Sequence, residues 1–231
     1  MKIQHIFFDL DNTLWDHRRN AYLTLKEIFN KEQVSDRYPL GFEEFHTEYF
    51  TINERLWEQI RDGEIDKDYL RKHRFYDSFL FFGIDDFELA QTFENNFLDE
   101  ILNHNDLVEG AFEILEYLSN KKYKLHILSN GFKEVTYKKC ELSGIKNYFQ
   151  TITSADEINI RKPHPEVYDY ALKKAGAKTE ESMMIGDDWI ADVEGGKACG
   201  LEVVFLDVFN DNFEADGVKT IKKLKELETL L

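Results

Sequence analysis

From about residue 107 onward, short apolar runs alternate with helical patterns, and this alternation restricts the fold more than any other feature of the chain. Tyr123 to Leu128, Gln150 to Thr153, Ser182 to Ile185 and Glu202 to Leu206 each read as a buried strand. Between them lie helical stripes, one with Phe112, Leu115 and Leu118, another with Val167, Ala171, Leu172 and Ala175. Strands separated by helices argue for a parallel sheet covered by helices. A further strand-like run, Ile3 to Leu10, stands far upstream and stops at an Asp-Asn-Thr turn. Near the end of the chain, Ile221, Leu224, Leu227 and Leu231 predict a last helix packed on the sheet.

The stretch from about 16 to 105 holds no convincing strand. Phe42, Phe45, Tyr49, Ile52, Leu56 and Ile60 recur at steps of three and four, a helical stripe. Tyr22, Leu25 and Phe29 form a second stripe, residues 67–82 supply another, and Phe87, Ala90, Phe93, Phe97 and Ile101 the last. These aromatic stripes read as core packing. The organisation expected is an α/β core of residues 1–15 and 106–231, a doubly wound parallel sheet, with a bundle of about four helices over 16–105 inserted after its first strand. A chain of 231 residues suits one domain plus an insertion.

The formal net charge is -16. So acidic a surface repels phosphate polymers and anionic lipid, which argues against nucleic acid and membrane as partners. An anionic substrate would then need a local cation. Charges interrupt every apolar run before transmembrane length. Cys140 and Cys199 have no metal-ligand spacing and suit a reducing compartment. A soluble cytoplasmic protein is expected.

Where the runs end, polar chemistry collects. Asp9 and Asp11 close the first run, and ligands of parallel sheets bind beyond the carboxyl ends of strands. Unpaired acids there are costly, and a divalent cation such as Mg²⁺, which takes one or two protein carboxylates, gives them a reason. A helix-cap or turn role for Asp11 stands beside that reading. Asp66 and Asp68 share the spacing but follow no strand and read as a solvated face. The second run ends Ser129-Asn130-Gly131, a hydroxyl and backbone N–H groups at a helix start. That is a phosphate site or an ordinary turn. Lys162, before Pro163, is directed by the proline towards a phosphate or carboxylate, or lies on the surface. Arg161 is expected to face solvent, and His164 to start a helix. Asp187, Asp188 and Asp192 follow the fourth run; one acid could cap a helix, while three suggest a cation site. Gly195 and Gly196 allow close helix–sheet packing.

Taken in order, Asp9-Leu-Asp11-Asn-Thr13, Ser129-Asn130-Gly131, Lys162-Pro163 and Gly186-Asp187-Asp188 with Asp192 resemble the haloacid dehalogenase superfamily of phosphohydrolases over nearly the whole chain. The resemblance implies a Rossmann-like core with a type 1 helical cap, the kind that closes over small substrates. It implies Asp9 as nucleophile, forming an aspartyl-phosphate, and Asp11 as general acid and base. Mg²⁺ would be held by Asp9, the Asp11 carbonyl and Asp187, with Asp192 behind it or Asp188 as an alternative ligand. Thr13, Ser129 and the Asn130 backbone would bind the phosphoryl group, and Lys162 would neutralise charge. Mg²⁺ and Lys162 would thus supply the local cations that the acidic chain requires.

Asp11 speaks against a dehalogenase, and no cap lysine is marked out for phosphonate chemistry. A phosphatase of small phosphorylated metabolites is expected. The alternatives are a sugar phosphomutase, a sugar-phosphate phosphatase, or a non-catalytic binding protein on the same core. The stretch from Thr51 to Phe75 and Phe132 after the second motif resemble bacterial pyrimidine nucleotidases of the superfamily. That resemblance implies nucleoside 5′-monophosphates as substrates. Asn53, Trp57 and Arg61 are candidates to face them, an indole being able to stack on a base, against Trp57 as cap core and Arg61 as solvated. A monomer or small homo-oligomer is expected.

Overall fold

The computed structural model describes residues 2–231. Their apolar runs pair into a six-stranded sheet: β1 (His5–Phe8), β2 (Lys124–Ser129), β3 (Phe149–Ser154), β4 (Ser182–Gly186), β5 (Glu202–Leu206) and β6 (Lys219–Ile221). Every pairing is parallel and the order is β3-β2-β1-β4-β5-β6. Strands covered on both faces lose the polar–apolar alternation, which is why β1 and β4 read as unbroken apolar runs. β1 is central, its Phe8 opposite Ile127 of β2 on one side and Ile185 of β4 on the other. The strand order reverses beside β1, and such a reversal opens a crevice at the carboxyl ends.

The chain divides into two compact units, Met1–His17 with Asn105–Leu231, and Arg18–His104. In the first, the helices are α6 (Ala111–Asn120), α7 (Lys133–Leu142), α8 (Pro165–Ala175), α9 (Gly195–Ala198) and α10 (Leu227–Leu230). A π-helical turn over Trp189–Glu194 leads into α9. One core cluster joins Phe7, Leu128, Val167, Tyr168, Met184 and Phe205. A Cβ on Gly195 would stand 2.6 Å from the Tyr168 hydroxyl, and one on Gly196 2.8 Å from Val203 Cγ1, so both glycines do permit close packing.

The second unit takes α1 (His17–Lys31) from Arg18 onward, with α2 (Val34–Arg37), α3 (Phe42–Arg61), α4 (Lys67–Phe81) and α5 (Phe87–Glu100). It packs aromatic rings against one another. Phe45 stacks on Phe79 at 4.8 Å and meets Phe93 at 5.5 Å, and Tyr49 stacks on Phe75 at 4.8 Å, geometries that add to simple burial. An ion pair lies within this core, Arg74 Nε to Glu94 Oε2 at 2.6 Å, joined by Arg71 at 3.0 Å. Among the described residues no helix is long and apolar enough to cross a membrane.

Several expectations need correction. Ile221 belongs to β6, and the last helix is only Leu227–Leu230 after a short 3₁₀ turn. A three-residue strand at the sheet edge, with two residues exposed, leaves no apolar run to read. Phe112 is 46% exposed against Tyr148, because α6 buries Ala111, Ile114, Leu115 and Leu118 instead. Phe87 is likewise exposed at the start of α5. Arg161 does not face solvent; its side chain is largely buried and donates to Asp156 at 2.8 Å. Asp66 and Asp68 are exposed, as expected, and Asp66 is in addition the N-cap of α4, accepting from the Tyr69 N–H at 2.8 Å. Both cysteines are free thiols, Cys140 buried and Cys199 half-buried.

Candidate active site

The chain turns sharply where β1 stops. The Asp9 N–H still extends the ladder to Ile185 O at 2.9 Å. Asn12 then adopts a left-handed φ of 61°, a conformation asparagine tolerates better than most residues. Its N–H bonds Trp15 O at 2.7 Å, while the Leu14 and Trp15 N–H groups both return to Leu10 O. The Asp9–Trp15 segment is therefore pinned to the sheet end, and Asp9 and Asp11 are carried on a rigid turn.

β4 ends beside it. Gly186 precedes Asp187, and Asp188 caps the following turn by accepting from the Ala191 N–H at 2.8 Å. Asp192 folds back until its Oδ2 accepts from the Asp188 N–H at 3.1 Å. A Cβ on residue 186 would fall 2.0 Å from that carboxylate oxygen, so the glycine is what makes room for Asp192. Oxygens of Asp9, Asp187 and Asp192 thereby lie within 4.8 Å of one another. Asp188 points away as a cap and is exposed. The Thr13 hydroxyl donates to Asp187 Oδ1 at 2.8 Å, so it is already engaged with an acid.

Lys162 enters from the loop after β3 and is 1% exposed. Its Nζ donates to Asp9 Oδ1 and to Asp192 Oδ1, each at 2.6 Å. The Asn130 side chain brackets the lysine backbone, Nδ2 donating to Lys162 O at 3.0 Å and Oδ1 accepting from Lys162 N at 2.8 Å. The Lys162–Pro163 peptide is cis. Ser129, buried at the end of β2, accepts from the Gly131 N–H at 3.0 Å, which leaves its own O–H to donate.

The electrostatics follow from burial. Burial pushes the Asp9 carboxyl up to about 8; Asp192 and Asp11 add to the rise, against the Lys162 cation. Asp187 is raised well above the usual range by burial and by Asp9 and Asp192, and Asp192 is raised by burial and Asp188. Burial alone would lower Lys162, but Asp192 and Asp9 outweigh it and hold the ammonium charged. A cluster of hard oxygen donors that repel one another and are only partly neutralised is the donor set a divalent cation such as Mg²⁺ takes.

Lys139 of α7 had no place in the sequence reading. It is buried, and its Nζ lies 2.5 Å from Asp11 Oδ1 and 4.1 Å from the centroid of the Trp15 ring. Burial would raise the Asp11 carboxyl, but Lys139 and His17 outweigh it and hold it below the usual range. The only local signal is helical phase: Lys139 shares a buried face with Thr136 and Cys140, while its neighbour Lys138 is exposed. Asn53, Trp57 and Arg61 lie at steps of four along α3 in the helical unit. Asn53 is buried with an unbonded Oδ1, Trp57 is half-buried, and Arg61 is drawn to Asp62, its Nε 2.9 Å from Oδ1.

Known proteins share this arrangement of chain. The family model for haloacid dehalogenase-like hydrolases matches residues 3–200. The pyrimidine 5′-nucleotidase YjjG of Escherichia coli is 28% identical over 235 residues, covering 100% of this chain and 99% of that protein. The pyrimidine 5′-nucleotidase PynA of Streptococcus pneumoniae is 26% identical over 208 residues, covering 89% and 84%. The crystal structure of Bacillus subtilis YfnB bound to magnesium superposes with a TM-score of 0.89 at 24% identity, covering 100% and 99%, and so has the same fold. With its parallel sheet, its converging strand ends and a family match over most of its length, this chain belongs to the haloacid dehalogenase-like hydrolases.

Proposed function

We propose that the protein is a Mg²⁺-dependent phosphatase of small phosphomonoesters, nucleoside 5′-monophosphates foremost, working through an aspartyl-phosphate on Asp9. The observation that carries this reading is the meeting of Asp9, Asp187 and Asp192, with the buried ammonium of Lys162 bonded to Asp9 and Asp192. Asp9, Asp187 and the Asp11 main-chain carbonyl would hold the cation, with Asp192 beside them. Bound there, Mg²⁺ would offset the negative charge of the phosphoryl group.

An Asp9 oxygen attacks phosphorus, and the bond to the ester oxygen breaks. Asp11 gives that oxygen a proton as it leaves. Water then attacks the same phosphorus, Asp11 takes its proton, and the Asp9–phosphorus bond breaks to restore the carboxylate. Lys162 holds Asp9 in place and balances charge, while Asn130 fixes the lysine backbone. The Ser129 hydroxyl and the Asn130 N–H receive the phosphoryl oxygens, and Thr13 acts by positioning Asp187. Fixed donors and charges of this kind supply most of the rate in phosphoryl transfer.

The helical unit is proposed as the cap of the family. Two relatives named pyrimidine 5′-nucleotidases align along most of the chain, which supports a nucleotide substrate. The unbonded amide oxygen of Asn53 and the indole of Trp57, on one face of α3, suit the edge and face of a base.

The test is phosphate release from a panel of nucleoside and sugar phosphates, with Mg²⁺ and with chelator. Release without an added acceptor excludes an obligate phosphomutase. No release from any substrate by folded, Mg²⁺-binding protein would sink the reading. Asp9→Asn should abolish turnover. Asp66→Asn should leave it near wild type, since asparagine caps a helix as well as aspartate does; equal activity of the two variants would refute the site assignment.

A further inference from the structure

Lys139 is 4% exposed on a helix whose Lys133 and Lys138 are in solvent. Taking an ammonium out of water is costly unless its partner geometry returns the loss. A rotation of one residue would have placed a lysine of the same helix outside. What Lys139 meets inside is Asp11 Oδ1 at 2.5 Å and the face of the fully buried Trp15 at 4.1 Å. The His17 ring nitrogen stands 3.9 Å from the same oxygen. Lys139 and His17 therefore both face Oδ1.

Oδ2 faces elsewhere. It lies 3.4 Å from the place a Cβ on Gly131 would take, with Ser129 Oγ 3.1 Å and Thr136 Oγ1 3.0 Å from that place. Asp11 Oδ2 and the Ser129 and Thr136 hydroxyls thus border one small space, kept open because residue 131 is glycine. Torsion about a carboxylate is broad and two-fold, so an untethered aspartate presents either oxygen in many orientations. A tether on Oδ1 removes that freedom and leaves Oδ2 as the oxygen open to exchange a proton.

We propose that Lys139 is a positioning residue for Asp11: by holding Oδ1 it aims Oδ2 into the space beside Ser129, where the leaving oxygen of a phosphomonoester would be protonated. The inference rests on the phosphatase reading above. It differs from a merely structural tie between α7 and the Asp9–Trp15 turn in one measurable respect. A misaimed general acid harms esters whose leaving group needs a proton, whereas a loosened fold harms all esters alike.

The experiment compares kcat/KM for 4-nitrophenyl phosphate, whose phenolate departs unprotonated, with that for a nucleoside 5′-monophosphate, whose alkoxide does not. Lys139→Met should lose about 10²-fold on the nucleotide and under about 5-fold on the aryl ester, the scale of a misplaced general acid. Lys139→Arg should recover most of the nucleotide activity. Lys139→Gln serves as the neutral variant if the methionine protein does not fold, as judged by circular dichroism. Equal losses on both esters, or an arginine variant no better than the neutral one, would overturn the proposal while leaving the phosphatase reading intact. Wild-type protein inactive on both esters would overturn that reading and this inference together.

Discussion

Replacing Gly186 with alanine forces a collision at the centre of the site. The new methyl would lie 2.0 Å from Asp192 Oδ2, 2.3 Å from Cγ and 2.7 Å from Cβ, where real Cβ atoms essentially never come under 3.0 Å. The carboxylate must therefore retreat by about 1 Å in a close-packed interior. It has little room to do so. Oδ1 is held by Lys162 at 2.6 Å and Oδ2 by the Asp188 N–H at 3.1 Å. The backbone cannot yield instead, because β4 is paired with β1 on one side and β5 on the other, Gly186 itself lying opposite Phe205. Overpacking alone costs about 1–3 kcal/mol, and weakening one arm of a buried ion cluster adds to it. A total of about 3–5 kcal/mol follows, which for a chain of this length lowers the midpoint of thermal unfolding by about 10 °C. Lys162 would swing towards Asp9 alone, and a shift of about 1 Å at a reacting group costs about 10²-fold in turnover. Calorimetry and phosphate release read the two effects separately. A Gly186→Ala protein that melts within about 2 °C of wild type and keeps its activity would refute the claim that this glycine seats Asp192.

Two more predictions concern buried ionisable groups away from the site. Glu94→Leu leaves Arg74 buried without its carboxylate and should cost about 3–5 kcal/mol in urea unfolding, whereas adding Arg74→Met should recover most of the loss; a double variant as unstable as the single would show that packing, not charge, is at stake. His126 bonds His5 Nδ1 at 3.0 Å and Thr151 Oγ1 at 2.8 Å. Burial first, then His5 and Lys124, pushes its pKa down to about 3. Its folded pKa lies below the unfolded value, so the unfolded chain takes the proton first. The stability it contributes is complete above about pH 6.5 and is lost as pH falls towards 3, by up to about 1.4 kcal/mol per pH unit. From pH 7 to pH 5, wild type should lose about 2 kcal/mol more in urea than His126→Leu does, and parallel losses would refute the assignment.

The sheet was legible in the chain because strands buried on both faces need unbroken apolar side chains, and those runs stop where the backbone meets solvent and chemistry. Asp9, Ser129, Lys162 and Asp187 could be picked out for that reason: each follows such a run at the carboxyl end. β6 could not, since three residues at a sheet edge with one buried side chain carry no pattern. Phe112 misled because helical spacing gives a period, and the phase of the buried face is set by what packs against it.

Within the site the limit was sharper. Asp187, Asp188 and Asp192 are identical side chains within six positions, and local sequence cannot rank them. A π-helical turn and the missing side chain of Gly186 decide that Asp192 turns inward, while Asp188 spends its carboxylate on the Ala191 N–H. Lys138 and Lys139 likewise differ only in helical phase, yet one is in water and the other is bonded to Asp11. The sequence by itself determined which segments are strands and which chemistry stands at their ends, because burial and turn formation act over a few neighbouring residues. Which carboxylate faces which cation depends on close approaches between segments as much as 153 residues apart, and only the packed tertiary structure decides those.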